Sequence, residues 1–125
     1  FNAMCLSGHV VGQDGVGIGP ALDGSGNRDL NHLLTAILRP DDAAENAYIL
    51  FRTIDEAGHI TEGLKLKQDK RGTTLAFQGG STHFSPSRTL TQQHFVGSSS
   101  FMPNAFSKLP ESTIADIVEH IKTLK

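Results

Sequence analysis

The sequence predicts one small, mainly α domain that carries an inserted antiparallel β-sheet at about residues 47–90. Two observations lead to this class. Apolar residues recur at helical spacing near both ends of the chain, and the spacing changes to a period of two between them. With 125 residues, of which 38% are hydrophobic, the chain can bury one core but hardly two. We therefore expect a single domain over residues 1–125.

Two helices are predicted to frame the chain. The first lies between Asn27 and Arg39, where Asn27 or Asp29 can cap its start and Pro40 ends it. Its apolar face comprises Leu30, Leu33, Leu34, Ile37 and Leu38. A second stripe near the end predicts a closing helix, with Pro110 suited to its first turn. This stripe comprises Ile114, Ile117, Val118, Ile121 and Leu124.

The segment between the helices is predicted to form three or four short antiparallel strands. A β-branched and aromatic run from Tyr48 to Ile54 leads into a turn at residues 55–58, after which apolar and polar residues alternate. A second pair follows around Gly79 and Gly80, and Pro86 favours an edge position there. We expect no cofactor ligand from this insert. The stretch after Gly97 is predicted to return to loop.

Composition excludes several classes of partner. The formal charge of −2 gives no broad positive field for nucleic acid, and no run of about 18 apolar residues is present to span a bilayer. The chain begins at Phe1 without a signal-like segment, so we interpret it as a mature product or an excised piece. A single cysteine excludes an internal disulfide. The expected partners are proteins or small cofactors.

The residues that carry chemistry lie near the two ends. Cys5 precedes His9 by four residues, so on a helical turn the thiol can reach a haem vinyl group while the imidazole binds iron. Met102, before Pro103, can supply a second axial bond from a distance. The competing interpretations are a buried structural thiol for Cys5, a gap-filling core residue for Met102, and His94 as the second ligand.

At these residues the chain resembles a known family, the planctomycete and verrucomicrobial type of class I-like cytochrome c domain. That family runs as Phe-x-x-x-Cys-x-x-Cys-His, Gly-Pro-x-Leu, Leu-x-Pro, an inserted β region, Met-Pro and a closing helix. The matching pieces here are Phe1, Cys5 with His9, Gly19–Leu22, Leu38–Pro40, Gly58, Gly63, Met102–Pro103, Ala115–Val118 and Ile121–Leu124. Two positions depart from it: Gly8 replaces the second haem-binding cysteine, and His120 replaces a tyrosine of the closing helix.

The resemblance implies cytochrome c-like helices around one haem c, bound through a single thioether to Cys5. It implies His9 and Met102 as iron ligands, the Pro20 carbonyl as the acceptor for the other ring nitrogen of His9, and Leu22 in the pocket wall. Leu33, Ile37 and Phe101 are further candidates for that wall. The implied function is an electron carrier, not itself an enzyme, that serves a redox protein or a fused dehydrogenase domain. The implied location is periplasmic or secreted.

Several alternatives remain open at this point. Haem can be held by ligation and packing alone, without a bond to Cys5. If Met102 is weakly bound, the iron has an open sixth site that binds small ligands or acts as a peroxidase. If no haem is bound, the chain is an interaction module. The other histidines show no zinc-site spacing, and the glycines at 15, 17 and 19 lack the strand and lysine of a phosphate loop.

Overall fold

Strands outnumber helices in the computed structural model, which describes residue 1 and residues 4–125. Within these residues the strands are β1 Val10–Val11, β2 Asp14–Gly15, β3 Ile49–Asp55, β4 Ile60–Gln68, β5 Gly72–Ala76, β6 Thr82–Pro86 and β7 Leu90–Ser100. The α-helices are α1 Leu30–Leu38, α2 Pro40–Ala43 and α3 Glu111–Lys122. Short 3-10 turns occupy Ser25–Asn27, Asn46–Tyr48, Ser87–Thr89 and Ala105–Lys108.

The prediction of a mainly α fold with a small insert is wrong. Five strands form one antiparallel sheet in the order β6-β5-β4-β3-β7, and this sheet extends to Ser100 instead of ending near residue 90. The extra length of the sheet comes from β7. Its last residues are glycine and serines without apolar alternation, yet the ladder with β3 holds the strand, pairing Ile49 with Ser100. Main-chain pairing, which leaves no trace in hydropathy, decides this segment.

The cytochrome c-like classification is contradicted as well. The described residues form two sheets with seven strands and only three α-helices, one of them four residues long, and the chain has a single cysteine. This arrangement does not fit a cytochrome c-like fold. The resemblance therefore rests on short motifs whose order does not specify the architecture.

The five-stranded sheet is strongly curled. The Thr73 hydroxyl on β5 donates to the Gln93 Oε1 on β7, although β4 and β3 lie between these strands. In a flat sheet the two strands would be about 14 Å apart, so the hydrogen bond requires curvature. The concave side holds Phe51 against Phe95 at a centroid distance of 5.0 Å, and the Lys65 ammonium lies over both rings. The sheet thus forms a small core of its own around Phe51, whereas Phe95 stays 47% exposed.

A second core lies between α1 and α3. Their buried residues are Leu33, Ile37, Ile117, Val118 and Ile121. The turn before α1 packs tightly on the end of α3, because Gly26 N–H donates to Leu124 O at 2.7 Å. A Cβ at Gly26 would lie 2.5 Å from the Lys122 carbonyl oxygen, so only glycine fits there. The predicted first helix is shorter than expected, since Asn27 belongs to this turn and the helix begins at Leu30.

The turn between β3 and β4 contains a carboxylate contact that we expect to be acid-sensitive. Asp55 Oδ1 accepts hydrogen bonds from the Ala57 and His59 amides at 2.9 and 2.8 Å, and Oδ2 lies 3.1 Å from His59 Nδ1. The His59 amide bond is the main reason that the pKa of Asp55 falls below its ordinary value of 3.8. A lowered pKa stabilises the folded state above the ordinary value, and this contribution is lost as the pH falls through the lowered one.

We therefore expect Asp55→Asn to reduce the fall in unfolding free energy between pH 5 and pH 2, measured by urea denaturation. The neutral amide has no proton to take up, so the acid-dependent contribution of this turn disappears. Glu56→Gln, at the adjacent exposed position, is the control. An identical pH dependence for wild type and Asp55→Asn would contradict the prediction.

Candidate functional site

One cleft brings together every cofactor-binding residue that the resemblance implied. It lies between the helical core, the N-terminal segment and the loop that follows β7, and Cys5, His9, Pro20, Leu22 and Met102 all line it. Its walls are mainly apolar and include Leu33, Ile37, Phe101, Phe106, Ile117 and Ile121. The cleft has a cavity volume of about 180 Å³ and is open to solvent. Its apolar walls suit an apolar ligand, and a large cofactor would lie partly outside this volume.

His9 is held in one tautomer and orientation. Its amide and that of Gly8 both donate to Cys5 O, at 3.0 and 3.2 Å, which forms a single turn ahead of the histidine. His9 Nδ1 lies 2.7 Å from Pro20 O, and because a carbonyl oxygen only accepts, Nδ1 carries the proton. Nε2 then keeps a lone pair that can bind a metal. The acceptor is the one that the resemblance implied.

Glycine at position 19 allows the backbone to pack against the imidazole ring. A Cβ built there would lie 3.2 Å from both Cε1 and Nδ1 of His9, and 3.1 Å from the Gly8 carbonyl oxygen. Gly19 N–H also donates to Gly8 O at 2.6 Å. The segment from Gly8 to Pro20 therefore fixes the ring from two directions. This arrangement is typical of a histidine prepared for ligation.

Cys5 lies half-buried in the wall of the cleft, on the same turn as His9. Burial raises the pKa of its thiol above the ordinary value of 9.0, and the nearby N-terminal ammonium group only partly opposes this effect. The thiol is consequently protonated at neutral pH. Its place beside the histidine suits an attachment point within the cleft more than an exposed nucleophile.

Met102 reaches the cleft from the opposite end of the chain. We expected the order of the loop from Gly97 to Asn104 to depend largely on the iron–sulfur bond and on burial of Phe101 and Phe106, but the structure provides hydrogen bonds on both sides of Ser100. Met102 N–H donates to Ser100 Oγ at 3.1 Å, and Phe101 N–H donates to Tyr48 O at 2.8 Å. Ser100 N–H in turn donates to Asp41 Oδ1 at 2.8 Å. The backbone around Met102 is therefore held in place by protein contacts.

His94, the competing ligand, lies elsewhere. It is exposed on β7 opposite Arg52 and does not line the cleft. His32, one of the histidines without zinc-site spacing, is exposed but also lines the cleft from α1, and its Nε2 is 3.0 Å from Arg28 Nη1. Gln78 was missed. It comes from the turn between β5 and β6, and no local pattern signals that a sheet turn reaches the cleft.

Comparison with protein-family models and with curated proteins finds no match to this chain. Within residues 1 and 4–125, no group of three or more His, Cys, Asp or Glu side chains is placed to hold a metal ion by itself. A haem iron does not need such a group, since the porphyrin supplies four of its ligands. None of the described helices is both long enough and apolar enough to cross a bilayer.

The raised pKa of Cys5 yields a direct prediction. Alkylation of the folded protein by iodoacetamide at pH 8 should be slower than alkylation of the urea-unfolded chain, because the folded thiol has a smaller thiolate fraction and less access. The rate in the folded protein should rise with a midpoint above pH 9.0. A midpoint at or below that of the unfolded chain would show that burial does not control this thiol.

Proposed function

We propose that the cleft binds one haem, with His9 and Met102 as axial ligands, and that the protein relays single electrons. The observation that carries the proposal is the convergence of Cys5, His9 and Met102, from opposite ends of the chain, on one apolar cleft in which His9 Nε2 is available. The proposal rests on this cleft and not on membership of a fold family.

The donor set fits haem iron. A neutral imidazole nitrogen and a soft thioether sulfur are both established axial ligands, and together they suit ferrous and ferric iron without a change in geometry. When bound, the haem supplies reversible one-electron chemistry. The apolar walls and the thioether favour the ferrous state and so raise the reduction potential. With His9 and Met102 both bound to the iron, no position would remain for a substrate, which would suit a carrier.

Cys5 can attach the group covalently at one point. Cys5 would hold a haem by addition of its S–H across a vinyl group, with the sulfur bonded to one vinyl carbon, the hydrogen to the other and no leaving group. Gly8 offers no second thiol, and its position is buried against Gln78. A single thioether is therefore the proposed attachment.

The proposed electron partner of the protein is a redox protein or a fused dehydrogenase domain, and the proposed location is periplasmic or secreted.

The first test concerns covalent attachment. Protein that has been matured with haem should keep the group through acid and organic extraction, whereas Cys5→Ser should release all of it. The pyridine complex of the wild type should absorb between the positions for no thioether and two thioethers. Equal release from both proteins would show that haem is held by ligation and packing alone.

The second test concerns the sixth ligand. Met102→Ala removes the sulfur, so the ferric protein should lose its sulfur-to-iron charge-transfer band and become high-spin or water-ligated. Its potential should fall, and the ferrous form should bind carbon monoxide faster. His94→Ala is the control and should leave the spectrum unchanged. A wild-type protein that already binds carbon monoxide rapidly would favour the open-site alternative, and a colourless protein would favour the interaction module.

A further inference from the structure

The turn between β5 and β6, residues 77–81, contacts both segments that carry the proposed ligands. Gly79 N–H donates to Ser7 O at 2.8 Å, within the turn that leads to His9. Gln78 Nε2 donates to Phe101 O at 3.3 Å, beside Met102. We propose that Gln78 is a positioning residue that holds Met102 at the distance required of an iron ligand. This role rests on the proposed function, and in it the five-stranded sheet helps to position an iron ligand.

The two ends of the Gln78 amide each contact the residue directly before a proposed ligand. Nε2 bonds the residue immediately before Met102, and Oε1 lies over the residue immediately before His9, only 3.1 Å from where a Cβ of Gly8 would be. Gln78 also lines the cleft. One side chain thus spans the gap between the two ligand-bearing segments from outside the helical core.

Backbone hydrogen bonds close the turn that carries Gln78. Phe77 N–H donates to Ser81 O at 2.8 Å and Gly80 N–H donates to Phe77 O at 2.9 Å. Gly79 and Gly80 have φ values of 87° and 92°, which favour glycine strongly. Gly80 also packs against the N-terminal region, since a Cβ there would lie 2.9 Å from Val16 Cγ1. The position of Gln78 is therefore set by the sheet and not by the loop that it contacts.

Gly8 is part of the same arrangement. A side chain at this position would force the Gln78 amide to move by a few tenths of an ångström or more. The absence of a Cβ at Gly8 therefore leaves room for the carbonyl end of Gln78, while the amide end reaches Phe101. The bond from Gln78 Nε2 to Phe101 O is 3.3 Å long and lies at the surface, where Gln78 is exposed.

The test uses Gln78→Glu, which keeps the length of the side chain and removes the Nε2 donor. In the haem-free protein, amide hydrogen exchange at Phe101 and Met102 should become about two- to tenfold faster, as expected for the loss of one such bond. Exchange in β5 should be unchanged. Gln92→Ala, an exposed glutamine on β7, is the control and should alter neither region.

In the haem-loaded protein, Gln78→Glu should lower the intensity of the sulfur-to-iron charge-transfer band and speed carbon monoxide binding, while Gln78→Asn should show a smaller effect. If wild-type protein shows His/Met ligation and Gln78→Glu matches Gln92→Ala in all readouts, the positioning role is overturned and the proposed function stands. If wild type shows no haem, the function fails, and the exchange measurement still decides whether Gln78 holds the loop. Uniformly faster exchange across β5 and the loop would indicate a general stability effect and contradict positioning.

Discussion

The pairing of Ile49 with Ser100 is the constraint on which the rest of the structure depends. It brings the first residue of β3 and the last residue of β7 side by side, and the adjacent bond from Phe101 N–H to Tyr48 O continues the same contact. The chain therefore leaves the helical core at Tyr48 and returns to it at Phe101, after building a whole sheet in between. Together with the bond from Ser100 N–H to Asp41 Oδ1 on α2, this closure places Met102 against the wall formed by α1 and α2.

The local elements follow from the sequence to different degrees. The apolar stripes of α1 and α3 are predictable because each buries one face, with Leu33 and Ile117 in a shared core. The turn at Asp55 is predictable because the side chain caps its own turn and Gly58 has a positive φ of 84°. The extent of β7 is not predictable, since its last residues are held by main-chain pairing with β3, where Ile49 pairs with Ser100, and not by hydrophobic alternation.

The same division applies to the cleft. Cys5, His9 and Pro20 are close in sequence, so motif spacing can anticipate their proximity, and Met102 is marked by the proline that follows it. The contribution of Gln78 depends on how a sheet turn docks on a distant segment, a long-range relation that no window of sequence contains. The number and length of the strands were underestimated for the same reason. Short motifs at the ends of a chain do not specify the structure of the segment between them.

The curl of the sheet also bears on how the protein behaves at high concentration. Its outermost strands β6 and β7 expose main-chain groups of the kind that recruit strands from neighbouring molecules. β6 is short and ends at Pro86, which lacks an N–H, and Gly97 bends β7 with a φ of 52°. The bond between Thr73 and Gln93 keeps the sheet curled, and curvature of this kind disfavours edge-to-edge pairing with strands of neighbouring molecules. Phe95 on the edge strand β7 is 47% exposed, so the curvature does not shield it.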